Sequence, residues 1–238
     1  VREATGNSQV DWTLCDLSSL DSVRAAAQTL NAEPGGVDVL INNAAVFELG
    51  YAETPDGFER HLGVNFLAPF LLTHLLLPGL LAASAPRVVN VSGETARFAC
   101  VRLGDLSRKR SFGWSSHWGT FAAYGQSKLA LILWTRLWAQ RFAPAELCIN
   151  AIHPGMVGTA HLAGGPRWLD RAWRALGGTP QRAAGHIARV ALDPRLEGKS
   201  GRYYAGGWRF PPPLLARSQK KARSLYAQAC ELTGLMPA

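Results

Sequence analysis

The chain has 238 residues, enough for one large domain at roughly 100–200 residues per domain. With 47% hydrophobic and 18% charged residues it can bury a sizeable core, which excludes a disordered chain, a collagen and a disulfide-stapled miniprotein. The net charge of +8 is uneven: residues 1–60 carry 3 basic and 10 acidic side chains, residues 61–238 carry 22 and 7. Cys15, Cys100, Cys148 and Cys230 form no C-x-x-C pair, so reduced, structural thiols and a reducing compartment are expected. The six histidines lack ligand spacing, and no metal is expected. The chain opens at Val1 without an initiator Met, signal peptide or transit sequence, so a preceding segment is expected.

In chain order, Val10 to Leu14 reads as a strand and Leu20 to Leu30 as a helix, with Ser18 or Ser19 as N-cap. Val37 to Ile41 and Arg87 to Val91 are rich in β-branched residues and read as strands. Between them lies the apolar run Val64 to Ala85. It has the length of a membrane span, but Asn65, Pro69, His74 and Pro78 inside it favour a buried helix. Residues 102–120 form a polar insertion of the size of a lid or rim. A helix is predicted from Ala122 to Phe142, ended by Pro144, followed by a strand at Leu147 to Ile152 and a second irregular stretch at 160–180. There are no repeats. Strands alternating with helices imply βαβ units, hence an α/β fold with a doubly wound, mostly parallel sheet in a single domain over residues 1–238.

Tyr124 and Lys128 stand four residues apart on the long helix, on one face. An ammonium beside a phenol favours the phenolate and makes a general acid/base; the same spacing also describes an ordinary solvated helix face. The neighbours bear on that choice. The chain reads Leu40-Ile41-Asn42-Asn43-Ala44-Ala45, Gly63-Val64-Asn65, Arg87-Val88-Val89-Asn90-Val91-Ser92-Gly93, Tyr124-x-x-x-Lys128 and His153-Pro154-Gly155-Met156-Val157-Gly158-Thr159. In that order these motifs resemble the short-chain dehydrogenase/reductase family. The wording of Asp56 to Asn65 and of Phe70-Leu71-Leu72-Thr73 is similar to its retinol dehydrogenase branch.

The resemblance implies a Rossmann-like fold and a nicotinamide cofactor, NADP or NAD with NADP favoured. It implies that Tyr124 exchanges the proton with the substrate, that Lys128 lowers the tyrosine pKa and binds the nicotinamide ribose, and that Asn65 anchors a water in the proton relay. Asn43 and Ala44 would pass beside the cofactor and Asp16 would meet the adenine. The loop carrying Pro154, Gly155 and Thr159 would hold the carboxamide.

Two departures matter. Where the family reads Val-Ser-Ser, with the second serine catalytic, this chain has Gly93. Ser92 should face away from the substrate, because neighbours on a strand point to opposite sides; Thr95 shares the parity of Gly93 and can replace the hydroxyl if the strand extends that far. Losing one oxyanion donor costs about 10²–10³ in kcat, so weak activity or none is expected. The strand, glycine-rich turn and helix that receive the pyrophosphate are not found. The chain is therefore expected to lack its first βαβ unit, including the residue that selects NAD or NADP and any N-terminal membrane anchor. Ala45, where the family usually has glycine, crowds the cofactor path.

Residues 161–178 interleave Trp168, Leu169, Trp173 and Leu176 with Arg167, Arg171 and Arg174. This pattern suits either peripheral contact with a membrane surface or a lid packed on the domain; unchanged liposome flotation of Trp168→Ala/Trp173→Ala would remove the first. Ser92, Thr95, Trp168 and Trp173 are candidate substrate contacts. Arg108-Lys109-Arg110 and Arg217 to Arg223 read as solvated loops and a C-terminal helix, with no nucleic-acid-binding module. Two functions stand at this point. One is an oxidoreductase for a lipophilic alcohol and its aldehyde or ketone, on the cytoplasmic side and endoplasmic-reticulum-associated in a longer form. The other is a catalytically impaired scaffold that binds a ligand or partner. The helices around 64–82 and 122–142 are where a homodimer would form.

Overall fold

In the computed structural model, which describes residues 2–114, 116–155 and 178–236, the β-branched runs assemble into one five-stranded sheet. Its strands are β1 (Val39–Asn42), β2 (Arg87–Val91), β3 (Cys148–His153), β4 (Tyr203–Ala205) and β5 (Trp208–Phe210), in the order β1-β2-β3-β4-β5. The first four are parallel and β5 returns antiparallel. Helices cover both faces, so β2 is buried along its whole length. The fold class read from the sequence, α/β and Rossmann-like, holds.

Helix α1 (Leu20–Ala32) begins where Ser19 accepts a hydrogen bond from the Ser22 amide and turns Val23, Ala26 and Ala27 inward. The apolar run forms the interior helix α2 (Arg60–Ala82), which is long and apolar enough to cross a membrane but is mostly buried in the fold. It starts four residues before the sequence suggests, because the buried carboxylate of Glu59 caps the amides of His61 and Leu62. Gly63–Leu67 within it is a π-helical stretch. The helix α3 (Lys109–Trp114) is followed by the long α4 (Ser116–Trp138), then α5 (Pro180–Leu192) and the C-terminal α6 (Gln219–Thr233).

A chain of buried hydrogen bonds crosses the layers. Asn42 Nδ2 donates to Thr73 Oγ1 of α2 and to Asn90 Oδ1 of β2, and Asn90 Nδ2 donates to Thr135 Oγ1 of α4. Both threonines donate onward to carbonyls of their own helices, so no member of the chain is unsatisfied.

Three expectations need correction. Val10 to Leu14 forms no strand: among the described residues it joins no ladder, its bonds being those from Arg2 to the Val10 carbonyl and the Asp11 carboxylate, and Trp12 and Leu14 are 85% and 79% exposed. A segment without ladder partners is not sheet. Residues 102–120 are not a loop throughout, since they hold α3 and the start of α4. They are tied to Gln126, whose Oε1 accepts from the Arg102 amide and Arg108 Nε and whose Nε2 donates to the Leu106 carbonyl. Arg108 is consequently buried rather than solvated. The segment 160–180 lies largely outside the described residues, and with it Thr159, Trp168 and Trp173. Within the chain, Phe70 and His74 of α2 pack against Tyr226 of α6, and Trp138 of α4 packs against His74.

Candidate active site

The C-terminal ends of parallel strands are where a doubly wound sheet opens for ligands, and the chemistry-bearing residues gather there. β2 ends at Val91, and Ser92 and Gly93 continue beyond it into the 3-10 turn Glu94–Arg97. Opposite runs α4, with Tyr124 and Lys128 one turn apart. Lys128 is 2% exposed. Its Nζ donates to the Val91 carbonyl at 2.9 Å and sits 5.6 Å from the centre of the Tyr124 ring. Burial pushes the Lys128 ammonium down to about 8 and pushes the Tyr124 phenol above its ordinary value. The expected lowering of the tyrosine by its lysine is therefore not present in this arrangement. The ammonium faces a backbone carbonyl and the flat of the ring, and desolvation dominates both groups.

Asn65 lies in the π-helical stretch of α2, which π-bulges commonly mark at functional sites. It clamps the loop after β1, accepting from the Val46 amide at 2.8 Å and donating to the Val46 carbonyl at 3.0 Å, with a further contact to Ser127 Oγ at 3.3 Å. That clamp sets Phe47 edge-on against Tyr124, ring centres 5.1 Å apart. Phe121 and His61 complete an aromatic wall. The His61 ring is itself fixed, its Nδ1 on the Glu59 carboxylate at 2.6 Å and its Nε2 accepting from the Glu48 amide. Phe47, Phe121 and His61 were not among the sequence candidates. The signal for Phe47 and Phe121 was position alone, just after the Asn-Asn-Ala-Ala run and three residues ahead of Tyr124, while His61 lies inside the stretch Asp56 to Asn65.

Ser92 is corrected as a substrate contact: its hydroxyl is buried and donates to the Lys128 carbonyl at 2.8 Å, fastening β2 to α4. Gly93 has extended backbone, φ −154° and ψ 163°, that any residue adopts. A Cβ built there meets Lys128 Cγ, Thr95 Oγ1 and Tyr124 Oη at 3.7 Å each, ordinary contact distances. Thr95 lies not on an extended β2 but in the turn that follows, so the parity argument does not apply to it; its Oγ1 is buried and, among the described residues, without a hydrogen-bond partner.

The cofactor candidates fall in two places. Asp16 and Ala44 line one cleft of about 410 Å³, together with Ser18, Ala45, Val46 and Arg60. Tyr124 and Lys128 are outside its lining. Asn43 is exposed at its approach. The Asp16 carboxyl is held below its ordinary value by the Ser18 amide and hydroxyl. Pro154 and Gly155 leave β3 beside the end of β2, with the Pro154 carbonyl accepting from His186 Nδ1 at 3.0 Å. Among the described residues no strand, glycine-rich turn and helix follow one another, and no cluster of three or more His, Cys, Asp or Glu could hold a metal.

The short chain dehydrogenase family model matches residues 1–103. Human polyprenol dehydrogenase is 36% identical over 99% of this chain and 73% of its own length. Mouse retinol dehydrogenase 12 is 38% identical over the same shares. The chain belongs to the short-chain dehydrogenase family, in its retinol dehydrogenase-like branch. Solved structures share the fold. An uncharacterised protein of Mycobacterium paratuberculosis superposes with a TM-score of 0.72 at 30% identity, covering 99% of this chain and 80% of the other. A metagenomic blue fluorescent protein in complex with NADPH superposes with a TM-score of 0.59 at 25% identity, covering 82% and 74%. The family is one of oxidoreductases.

Proposed function

We propose that this short-chain dehydrogenase interconverts a lipophilic alcohol, of the retinol or polyprenol kind, with its aldehyde or ketone, using NADP or NAD. The observation that carries the reading is Lys128: a fully buried ammonium with three N–H donors, of which one is engaged by Val91, beside the Tyr124 phenol. Such a group fits a hydroxyl-rich ligand at the end of β2, as the ribose next to a nicotinamide would be. The nicotinamide, when bound, supplies or accepts the hydride.

The remaining work falls to this chain's own residues. Tyr124 gives its phenolic proton to the substrate oxygen in reduction and takes it back in oxidation. Lys128, once a ligand draws it from Val91, stabilises the phenolate that results. Asn65 holds the loop that sets Phe47 against the tyrosine, and the Phe47–Phe121 wall presents an apolar surface to the substrate chain. The Asp16–Ala44 cleft is the candidate for the adenosine end. The relatives' names, retinol and polyprenol dehydrogenase, support a long lipophilic substrate, and the NADPH held by the metagenomic protein supports NADP.

Gly93 favours a second reading, a family member that binds cofactor or ligand with little turnover. Nucleotide fluorescence on titration and retinal reduction separate the two. The first reading expects NADPH or NADH fluorescence to rise and retinal to be reduced, with Tyr124→Phe lowering kcat at least 100-fold while nucleotide binding persists, in line with the roughly 10²–10⁴ typical of a general acid. Binding without turnover supports the scaffold, and absence of both refutes the oxidoreductase.

A further inference from the structure

We propose that the hydroxyl of Thr95 supplies, from the turn after β2, the second hydrogen bond to the substrate oxygen that a side chain at Gly93 would otherwise give. The inference rests on the oxidoreductase reading of this site. A carbonyl oxygen has two lone pairs and gathers negative charge as hydride reaches its carbon, so one donor, Tyr124, leaves half of that charge unserved. The geometry at Gly93 shows which other group can reach it. A single point, the Cβ position of residue 93, lies 3.7 Å from both Tyr124 Oη and Thr95 Oγ1, so the two hydroxyls flank the same point. The hydroxyls of Ser92, Ser127, Thr73 and Thr135 are all bonded to protein carbonyls. Thr95 Oγ1 is buried and bonded to nothing among the described residues, and a buried hydroxyl is normally satisfied.

The turn that presents Thr95 is fixed from two sides. Glu94 pairs with Arg97 at 2.8 Å, and the Arg97 guanidinium stacks 4.7 Å from the centre of the Phe210 ring. On the other side the turn rests on Gly125, the residue after Tyr124, where an added Cβ would come within 3.1 Å of the Thr95 carbonyl oxygen. Thr95 and Tyr124 are therefore held to one another through adjacent residues. In reduction the carbonyl carbon accepts hydride with its electron pair from the reduced nicotinamide, and the carbonyl π pair moves to oxygen. The oxygen takes its proton from Tyr124, and Thr95 keeps its own proton throughout.

Three variants of the chain test this: Thr95→Val, which keeps the shape and removes the hydroxyl; Thr95→Ser, which keeps the hydroxyl; and Gly93→Ser/Thr95→Val, which moves it. Each is read by kcat for reduction of all-trans-retinal and by the C=O stretching frequency of bound retinal in Raman difference spectra, which reports hydrogen bonding without turnover. Thr95→Val should lower kcat about 10²–10³-fold and raise the C=O frequency. Thr95→Ser should stay within about tenfold of the parent, and the double variant should recover most of the loss. Unchanged kcat and frequency in Thr95→Val, or no recovery in the double variant, overturns the proposal. If Tyr124→Phe is inactive while Thr95→Val is not, Thr95 alone fails. If the parent chain binds neither nucleotide nor retinal, the oxidoreductase reading fails and this inference with it.

Discussion

Lys128 works against the fold that holds it. Its ammonium loses protons near pH 8 when folded and near 10.4 when unfolded. Below about pH 8 both states are charged and the folded state bears the full burial penalty. Between about 8 and 10 the unfolded chain keeps a proton that the folded one has released, so stability rises with pH. Above about 10 two tyrosines oppose that rise, the half-buried Tyr51, which is hydrogen-bonded to Glu53, and the buried Tyr203, both held at about 12. Lys128→Met should therefore abolish turnover yet raise the urea midpoint at pH 7 and flatten its rise between pH 8 and 10. The ceiling is on the order of 3 kcal/mol; a lower midpoint at pH 7 would sink the idea. The Tyr124–Lys128 pair is legible from its spacing of four on a helix. The sign of its titration is not, because spacing reports charge proximity whereas burial depends on what the sheet and neighbouring loops lay over the pair. Asn65 is similar: the residue type stands in the sequence, but its bonds go to Val46, 19 positions away.

At the scale of elements, the turn Glu94–Arg97 and helix α4 are packed so closely that a side chain at position 125 would push its neighbours back by a few tenths of an ångström. A Cβ at Gly125 would meet Ala99 Cβ at 3.0 Å as well as the Thr95 carbonyl. Gly125→Ala should cost about 1–3 kcal/mol, as overpacking does, and should lower kcat more than Gly185→Ala, where a Cβ meets open space. Equal kcat in the two would show that the turn's position does not matter to turnover. Gly119 teaches the same lesson about reading sequence. In the polar stretch 102–120 it looks like loop punctuation, yet a Cβ there would lie 2.5 Å from the Phe112 ring, so this glycine lets α3 and α4 touch. Strands β1 to β3 and helices α1, α2 and α4 are legible because their apolar residues are periodic or β-branched. Val10 to Leu14 has the same composition and is not a strand, since a strand is defined by its partner and composition describes one side only.

For the whole molecule, the C-terminal helix α6 closes the core around His74. Its Nδ1 faces the Phe70 carbonyl and its Nε2 the Tyr226 hydroxyl, amid Phe70, Trp134 and Trp138. Burial pushes the imidazole down to about 4. Between about pH 6.5 and 4 the unfolded chain takes up a proton that the folded one refuses, so stability falls as pH falls through this window. His74→Phe should flatten the acid limb of the urea midpoint over that range, by no more than about 3 kcal/mol. A slope equal to that of the parent would assign the acid sensitivity elsewhere. The sheet carries a different kind of information. β2 is buried on both faces, so its valines would be equally content one residue up or down, and hydrophobicity leaves the alignment of β1 and β2 undetermined. Asn42 and Asn90 remove that freedom. They stand opposite one another in the ladder, and a slip by one residue would face Asn42 with Val89 or Val91 and break the amide pair, stranding its buried polar atoms. The apolar residues drive the sheet to form; the two amides act as its registration marks, and so set how far along β2 the turn bearing Thr95 begins.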